Sequence, residues 1–280
     1  MRSWRRAILH LPALAHQGVF LLYPLAAVIA YSLTVWDGFS APRPVGLANY
    51  EFMLQAPGFW RSVAITGLAV LLQVPAFVAL SAVIAIEIEG SRLERAIKAV
   101  LFLPFVVSIG SATAGWYTLY GDDYGAMREL TGLFIPWGSQ PWAGLVIVSL
   151  FTIWRNLGFG VLVVSAAVKQ VPREVLEAAV ADGATLTRLR WSVVLPLISP
   201  AVVFATVIAT IFSIQSYSAI LLLTNGGPIG GTQTLPFYMY LQGQGGAFRL
   251  GYAAAITVVT LLLTFTVALW QTRLVRRVFE

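Results

Sequence analysis

Residues 174–200 read EVLEAAVADGATLTRLRWSVVLPLISP, a polar passage of mixed charge set between two long apolar runs. Pro172 suits a first helical position, where its missing N–H costs nothing. Glu174 and Glu177 fall in the early turns that follow, where carboxylates favour the helix dipole. The helix runs on through Val175, Leu176, Ala178, Ala179 and Val180. Asp182-Gly183 ends it, with glycine at a left-handed cap. Thr185 caps a second helix that includes Leu186, Leu189, Trp191 and Val194, and Pro196 and Pro200 mark the return into the membrane. The passage predicts a helix, a tight turn and a second short helix outside the bilayer.

Composition explains why such a passage stands out. Of 280 residues, 58% are hydrophobic and 11% charged, against about 25% charged in soluble domains. That places the chain among integral membrane proteins. The 18 basic and 12 acidic residues give a net charge of +6. Nearly all the basic ones flank apolar runs, which argues for membrane lipid and against nucleic acid as a partner. With no cysteine, disulfides, thiolate metal sites and thiol catalysis are excluded. His10 and His16 are the only histidines. Their spacing is off the i, i+4 interval that puts two ligands on one helix face, so no metal site is expected.

A bilayer core about 30 Å thick takes roughly 20 apolar helical residues to cross. Charge-free runs of that size cover 7–36, 62–86, 99–121 and 250–272. A fifth, 142–168, is interrupted only by Arg155, and the most continuous apolar part of the stretch between Arg190 and Arg249 is 197–223. The expectation is an all-α integral membrane fold with six transmembrane helices. The first run is too long, and lacks the small-residue cleavage site, for a removable signal peptide. Orientation follows from Lys and Arg in the connections. One side carries Arg2, Arg5, Arg6, Arg92, Arg95, Lys98, Lys169, Arg173, Arg188, Arg190, Arg273, Arg276 and Arg277; the other carries Arg43, Arg61, Arg128 and Arg249. Both termini are therefore expected in the cytoplasm, with residues 1–10 as a cytoplasmic N-terminus and 11–280 as one transmembrane domain. Residues 174–200 then lie in a cytoplasmic loop.

Two readings of that loop stand open on the residues alone. One is an interfacial hairpin that only ties two spans together. The other is a docking knob, in which Ala178, Ala179 and Gly183 let a partner approach the backbone and Glu177 offers a charge to a partner's arginine. Glu177-Ala178-Ala179, then Asp182-Gly183-Ala184, then Leu195-Pro196 and Pro200, resemble the EAA loop of binding-protein-dependent ABC importer permeases. The loop would occupy about 170–199. The family often has aromatic residues where this chain has Leu186 and Leu189, a departure that bears on partner selectivity. TIWRNLGFGVLVVSAAVKQVP (152–172), LLLTNGGPIGGTQTLPFYMY (221–240) and GYAAAITVVTLLLTF (251–265) resemble the carbohydrate-uptake branch, of maltose and glycerol-phosphate type. The T-x-G-G-P turn is similar to that of the first of its two permease subunits. VGLANYEFML (45–54) and VLFLP (100–104) are similar to weaker family patterns in the N-terminal half.

The resemblance implies the type I importer fold in a bacterial plasma (inner) membrane, in heterodimer with a second permease subunit. It implies a cytoplasmic ATPase dimer docked at Glu177, Ala178, Ala179, Asp182, Gly183 and Ala184, and an extracytoplasmic solute-binding protein. The chain has no glycine-rich phosphate loop, so no cofactor is expected in it, and ATP and Mg would be bound by the partner ATPase. It would not be an enzyme but a transport subunit moving a sugar or sugar-like solute. Phosphate esters, amino sugars and polyamines are alternative solutes, and a non-transporting scaffold that docks an ATPase is the alternative of another class. Polar residues inside spans mark candidate pathways: Arg155 and Asn156, then Ser213, Gln215, Ser216, Tyr217 and Ser218. Gln215 with Tyr217 would offer a sugar hydrogen-bonding groups and an aromatic face. The alternative for all of them is bonding to neighbouring helices or capping of frayed mid-membrane backbone, and for Arg155 also pairing with the partner subunit or favouring a phosphate-bearing solute. The external turn with Asn225, Gly226, Gly227 and Pro228 reads as too rich in glycine to be a scaffold. It either contacts the binding protein, shapes the mouth of the pathway, or simply reverses the chain. Asp122 and Asp123 have no second acidic cluster or histidine near them in sequence, which argues against a metal-dependent glycosyltransferase. A secondary transporter would show inverted repeats and intramembrane carboxylates, and neither is evident.

Overall fold

The computed structural model describes residues 12–121, 125–132 and 135–279, with side chains as far as Arg273. Residues 1–10, His10 among them, and the pair Asp122 and Asp123 lie outside the described residues. In chain order the elements are α1 (Pro12–Ser32), a hairpin of β1 (Thr34–Val35) and β2 (Arg43–Pro44), α2 (Ala48–Gln55), α3 (Pro57–Ile88), α4 (Glu94–Val106) and α5 (Ile109–Tyr120). There follow α6 (Ala126–Thr131), α7 (Pro141–Val168), α8 (Arg173–Ala181), α9 (Leu186–Leu197), α10 (Ser199–Ile214), α11 (Tyr217–Leu223), α12 (Leu235–Gly243) and α13 (Leu250–Phe279).

Four of these are long and apolar enough to cross a membrane: α1, α3, α7 and residues Leu250–Arg273 of α13. Two bent pairs, α4 with α5 at 104° and α9 with α10 at 70°, are long and apolar enough only when taken together; counted as one span each, they bring the total to six among the described residues. The expected third span, 99–121, is thus not one rod. Its backbone turns extended at Val107 (ψ 142°). Ser108 then starts a new helix by accepting the Ser111 N–H on its hydroxyl at 3.2 Å. The expected fifth span, 197–223, is broken twice. It bends at Ile198, between Pro196 and Pro200, and again at Gln215–Ser216, where α10 gives way to α11. Proline lacks the N–H that a continuous helix needs, and the first bend falls between two of them.

The chain divides into two compact units, residues 1–61 with 238–263 and residues 62–237 with 264–280. In the first, the two-residue strands pair antiparallel, Thr34 with Pro44 and Val35 with Arg43. Asn49 is buried and its Nδ2 donates to the carbonyls of Ser32 and Thr34, each at 2.8 Å. That side chain serves the orphaned carbonyls where α1 ends. The Leu47-x-Asn49-Tyr50 pattern has its reason here, since the Tyr50 hydroxyl also lies 2.7 Å from Ser32 Oγ. The loop beyond β1 is shaped by Asp37. Its Oδ1 accepts the Ser40 N–H at 2.8 Å, the Phe39 N–H at 2.9 Å and the Ser40 hydroxyl at 2.8 Å. These donors hold its carboxyl down to about 2, well below the usual carboxylate range.

In the second unit α7 lies between α4 and α3. A Cβ on Gly158 would run into the Leu101 carbonyl and Phe102 Cα, and one on Gly160 into Ser81 Oγ and the Phe77 ring. Small residues let membrane helices approach this closely, because lipid supplies no hydrophobic drive between them. Buried polar pairs add direction. Gln73 Nε2 donates to Ser149 Oγ at 3.2 Å, and Gln271 Nε2 to Thr210 Oγ1 at 2.7 Å.

Replacing Gly158 by alanine is expected to force α4 off α7, where backbone rather than a flexible side chain blocks the new methyl. The cost should be about 1–3 kcal/mol of overpacking, read as a lowered thermal-aggregation midpoint of the purified protein. Gly67→Ala is the control for glycine loss without crowding, since that residue lies inside α3 and an added Cβ there meets nothing within 4 Å.

Candidate functional site

Two places bring the sequence-predicted residues together, both within the second unit. The first is α8 and the turn after it. The helix begins at Arg173, so Pro172 is its N-cap, one position outside the place expected for it. At the other end Gly183 takes φ +81°. The Ala184 N–H reaches the Ala179 carbonyl at 3.0 Å and the Gly183 N–H the Val180 carbonyl at 2.9 Å. That pair of bonds is a Schellman cap, which needs the left-handed residue that glycine supplies. Thr185 Oγ1 accepts the Arg188 N–H at 3.4 Å and starts α9 as expected. α9 is helical past Pro196 as far as Leu197, further than the prolines suggested.

This hairpin is asymmetric in what it shows. Leu176, Trp191 and Leu195 pack against an apolar cluster that includes Ile86, Ile88, Val161, Val164, Val194 and Ile198. Glu177, Ala178, Asp182 and Gly183 are exposed, as are Val180 and Leu186, while Ala179 and Ala184 are half-buried. All six residues expected at a docking surface therefore share one short helix–turn. Four of them are open, beside two exposed apolar side chains.

The second place is a cavity of about 260 Å³ at the two mid-span breaks. Arg155, Asn156, Gln215 and Ser216 line it, with Thr152 and the rings of Phe105, Phe151 and Phe212. Four of the seven candidate pathway residues are thus brought together; Ser213, Tyr217 and Ser218 are not among the lining residues. Gln215 is exposed at the end of α10, and buried Ser216 turns its hydroxyl back onto the Ser213 carbonyl at 2.8 Å. Arg155 has a firm structural task. Its Nη2 donates to the Val107 carbonyl at 3.2 Å and its Nη1 to the Phe105 carbonyl at 3.5 Å. These carbonyls end α4, where a cation is favoured. Buried Nε has no hydrogen-bond partner. The aromatic wall was not foreseen. Phe105 stacks on Phe159 at 5.5 Å and both rings meet Phe212, at 6.3 and 5.8 Å. Among many phenylalanines in apolar runs, no spacing singles these out.

The turn with Asn225, Gly226, Gly227 and Pro228 corrects an expectation. It is a folded scaffold rather than an open glycine loop. Gly226 (φ +79°) is buried, and a Cβ there would enter the Phe237 ring. A Cβ on Gly231 would strike Pro141 at the start of α7. Buried Thr232 bonds Thr224 Oγ1 at 2.7 Å and the Gly227 carbonyl at 3.1 Å. Its glycines are there for close packing, and Asn225 and Ile229 are its exposed residues. A larger groove of about 490 Å³ follows Val163, Ala167, Pro172, Leu197 and Phe204, with Gln170 as its one polar side chain. The 260 Å³ cavity matches solute chemistry better.

Residues 52–280 match the family described as binding-protein-dependent transport system inner membrane component. The chain is 30% identical over 286 residues to the sn-glycerol-3-phosphate transport system permease protein of Yersinia enterocolitica, covering 98% of this chain and 95% of the relative. It is 27% identical over 274 residues to the sulfoquinovosyl glycerol transport system permease protein of Agrobacterium fabrum, covering 95% and 88%. Its fold is similar to a chain of the bacterial alginate ABC transporter solved in complex with an alginate pentasaccharide-bound periplasmic protein. The TM-score is 0.83 at 20% sequence identity, over 100% of this chain and 96% of that one.

Arg155→Met leaves the part-buried Phe105 carbonyl and the exposed Val107 carbonyl without their donor, so the loss should fall towards the lower end of the roughly 1–3 kcal/mol that a buried unsatisfied group costs. The expected outcome is a lower melting midpoint for the methionine variant, with partial recovery in Arg155→Lys, which keeps the charge but not the forked geometry. Equal midpoints for all three proteins would remove the capping role.

Proposed function

This chain belongs to the inner membrane components of binding-protein-dependent transport systems, and from that premise we propose that it moves a sugar or sugar-like solute into the cytoplasm. In this family the ATPase is a separate chain, so ATP and its magnesium belong to the partner. The solute class rests on the relatives, whose names specify glycerol 3-phosphate and sulfoquinovosyl glycerol. The observation that carries the mechanism is the exposed small-residue face of α8 and its turn, from Glu177 to Ala184. Nothing in lipid explains it, because Glu177, Asp182 and Arg188 keep it polar. A protein groove would fit it, with Ala178 and Gly183 allowing close approach and Glu177 pairing with an arginine.

The excess of basic residues in one set of connections supports the reading that both termini and this loop lie in the cytoplasm. The ATPase dimer docks here, one copy on this chain and one on a second permease subunit. A soluble binding protein delivers solute on the opposite side, towards which the turn at Asn225–Pro228 faces in this orientation. The cavity with Arg155, Asn156, Gln215 and Ser216 is the mid-membrane part of the path. Its amide and hydroxyl groups bond solute hydroxyls, and Phe105, Phe151 and Phe212 present apolar faces.

In the importer assembled with its ATPase, Glu177→Arg is expected to abolish uptake and co-purification of the ATPase while the chain stays in the membrane. ATPase retained in wild-type amount would overturn the docking role. Gln215→Ala is expected to change the preference among a panel of labelled sugars before it changes assembly. Identical preference to the parent would take Gln215 off the path.

A further inference from the structure

The chain has two lysines, and both donate to one oxygen. Lys98 Nζ and Lys169 Nζ each lie 2.6 Å from Glu94 Oε1. Glu94 Oε2 accepts the Gly90 N–H at 3.2 Å. Glu89 adds a second carboxylate, 3.8 Å from Lys98 and 3.9 Å from Lys169. The side chains of Glu94 and Lys98 are each only 13% exposed. One carboxylate therefore ties together the turn after α3, the first turn of α4 and the end of α7. Accepting from Lys169, Glu94 also pushes that ammonium above the ordinary lysine range, with help from the charge of Glu89. A separate pair, Arg190 Nη1 to Glu87 Oε2 at 2.7 Å, ties α9 to the last turn of α3.

These bonds sit over the apolar cluster that already holds Leu176, Trp191 and Leu195. Apolar packing is non-directional, so it holds the loop close without fixing its register along α3 and α7. Short charged hydrogen bonds are directional. We propose that the Glu94–Lys98–Lys169 hub and the Glu87–Arg190 pair are the strut that passes a displacement of α8 on to α3, α4 and α7. This rests on α8 being the ATPase dock. Without the strut the loop is joined to the spans by its chain ends and by packing that can slide. A push on α8 would then be lost at the bend beside Ile198. With it, the loop and the ends of three helices move as one body, and the breaks at Val107–Ser108 and Gln215–Ser216 lie where that body meets the cavity. The Glu87–Arg190 pair is half-exposed, and such pairs add little stability, so its loss should disturb coupling before assembly. The residues act through the loop and are positioning residues.

The test uses the importer assembled with its ATPase and second permease in nanodiscs. It reads the ratio of ATP hydrolysis with and without the binding protein, added as purified from cells. Glu87→Arg is expected to lower that ratio about fivefold or more, the lower end of coupling between distant sites, with the ATPase still bound. Glu87→Arg with Arg190→Glu restores the pair in reverse and should recover most of the ratio. Glu94→Gln, which preserves shape and leaves both ammoniums only their longer contacts to Glu89, should lower it as well. A ratio unchanged in both single variants, or no recovery in the double variant, would overturn the strut. Loss of bound ATPase from Glu87→Arg and Glu94→Gln alike would make these residues structural and overturn it too. If Glu177→Arg retains the ATPase, the docking reading fails instead, and the two failures are told apart by that variant.

Discussion

A helix that breaks within a bilayer has to satisfy its own backbone, because lipid offers neither donors nor acceptors. The third span breaks between Val106 and Ile109, and the Arg155 guanidinium reaches the carbonyls left there. Much of the second unit follows from that one bond pattern. α7 has to run close enough to α4 for the arginine to reach. Gly158 makes this possible three residues further on, one turn along the same face, where the Leu101 carbonyl leaves no room for a Cβ. The cavity is the space that remains where α5 turns 104° away from α4. A charged side chain that would be costly against lipid is thus placed where backbone polarity and a hollow both receive it.

The same economy governs the other packed surfaces. Gly160 admits Phe77 and Ser81, Gly231 admits Pro141, and Gly226 admits Phe237. In each case a missing side chain, and not a large apolar one, sets the distance. Directional bonds such as Gln271 to Thr210 and Gln73 to Ser149 then choose the rotation of one helix against another. The first unit uses an amide for the same purpose, with Asn49 closing the end of α1.

How much of this was legible in the sequence follows from what each signal measures. Absence of charge over some twenty residues locates apolar runs, so the spans could be read from it. It carries no information on whether a run is straight, and the breaks after Val106 and at Gln215 were invisible to it. The turn chemistry at Asp182-Gly183 and Thr185 was readable because caps demand particular residue types at fixed offsets. The glycines of 226–231 misled, since glycine signals either freedom or close approach and only the neighbour, here Phe237 or Pro141, decides which. Arg155 was singled out correctly as anomalous. Its partners are main-chain carbonyls about fifty residues away in sequence, and no side-chain pattern encodes them. The Phe105–Phe159–Phe212 wall was hidden for a similar reason, being three ordinary apolar residues from three different helices.

The passage at 174–200 differs from the rest of the chain in having two environments within a single turn of helix. Leu176 and Trp191 belong to the core, whereas Ala178 and Gly183 face outward with nothing over them. A surface meant only for water has no need of small residues, because solvent accommodates any side chain. A surface meant for lipid would not carry Glu177 and Asp182. Small and charged together suit a rigid partner that comes within reach of the backbone. Such a partner can do work only on a loop that does not yield. The Schellman cap at Gly183 and the bonds that moor the loop to neighbouring helix ends supply that stiffness. In the proposed coupling, stiffness at the contact and breaks in the spans are complementary: motion imposed on an unyielding end would appear where the helices are already interrupted, which is where the cavity lies.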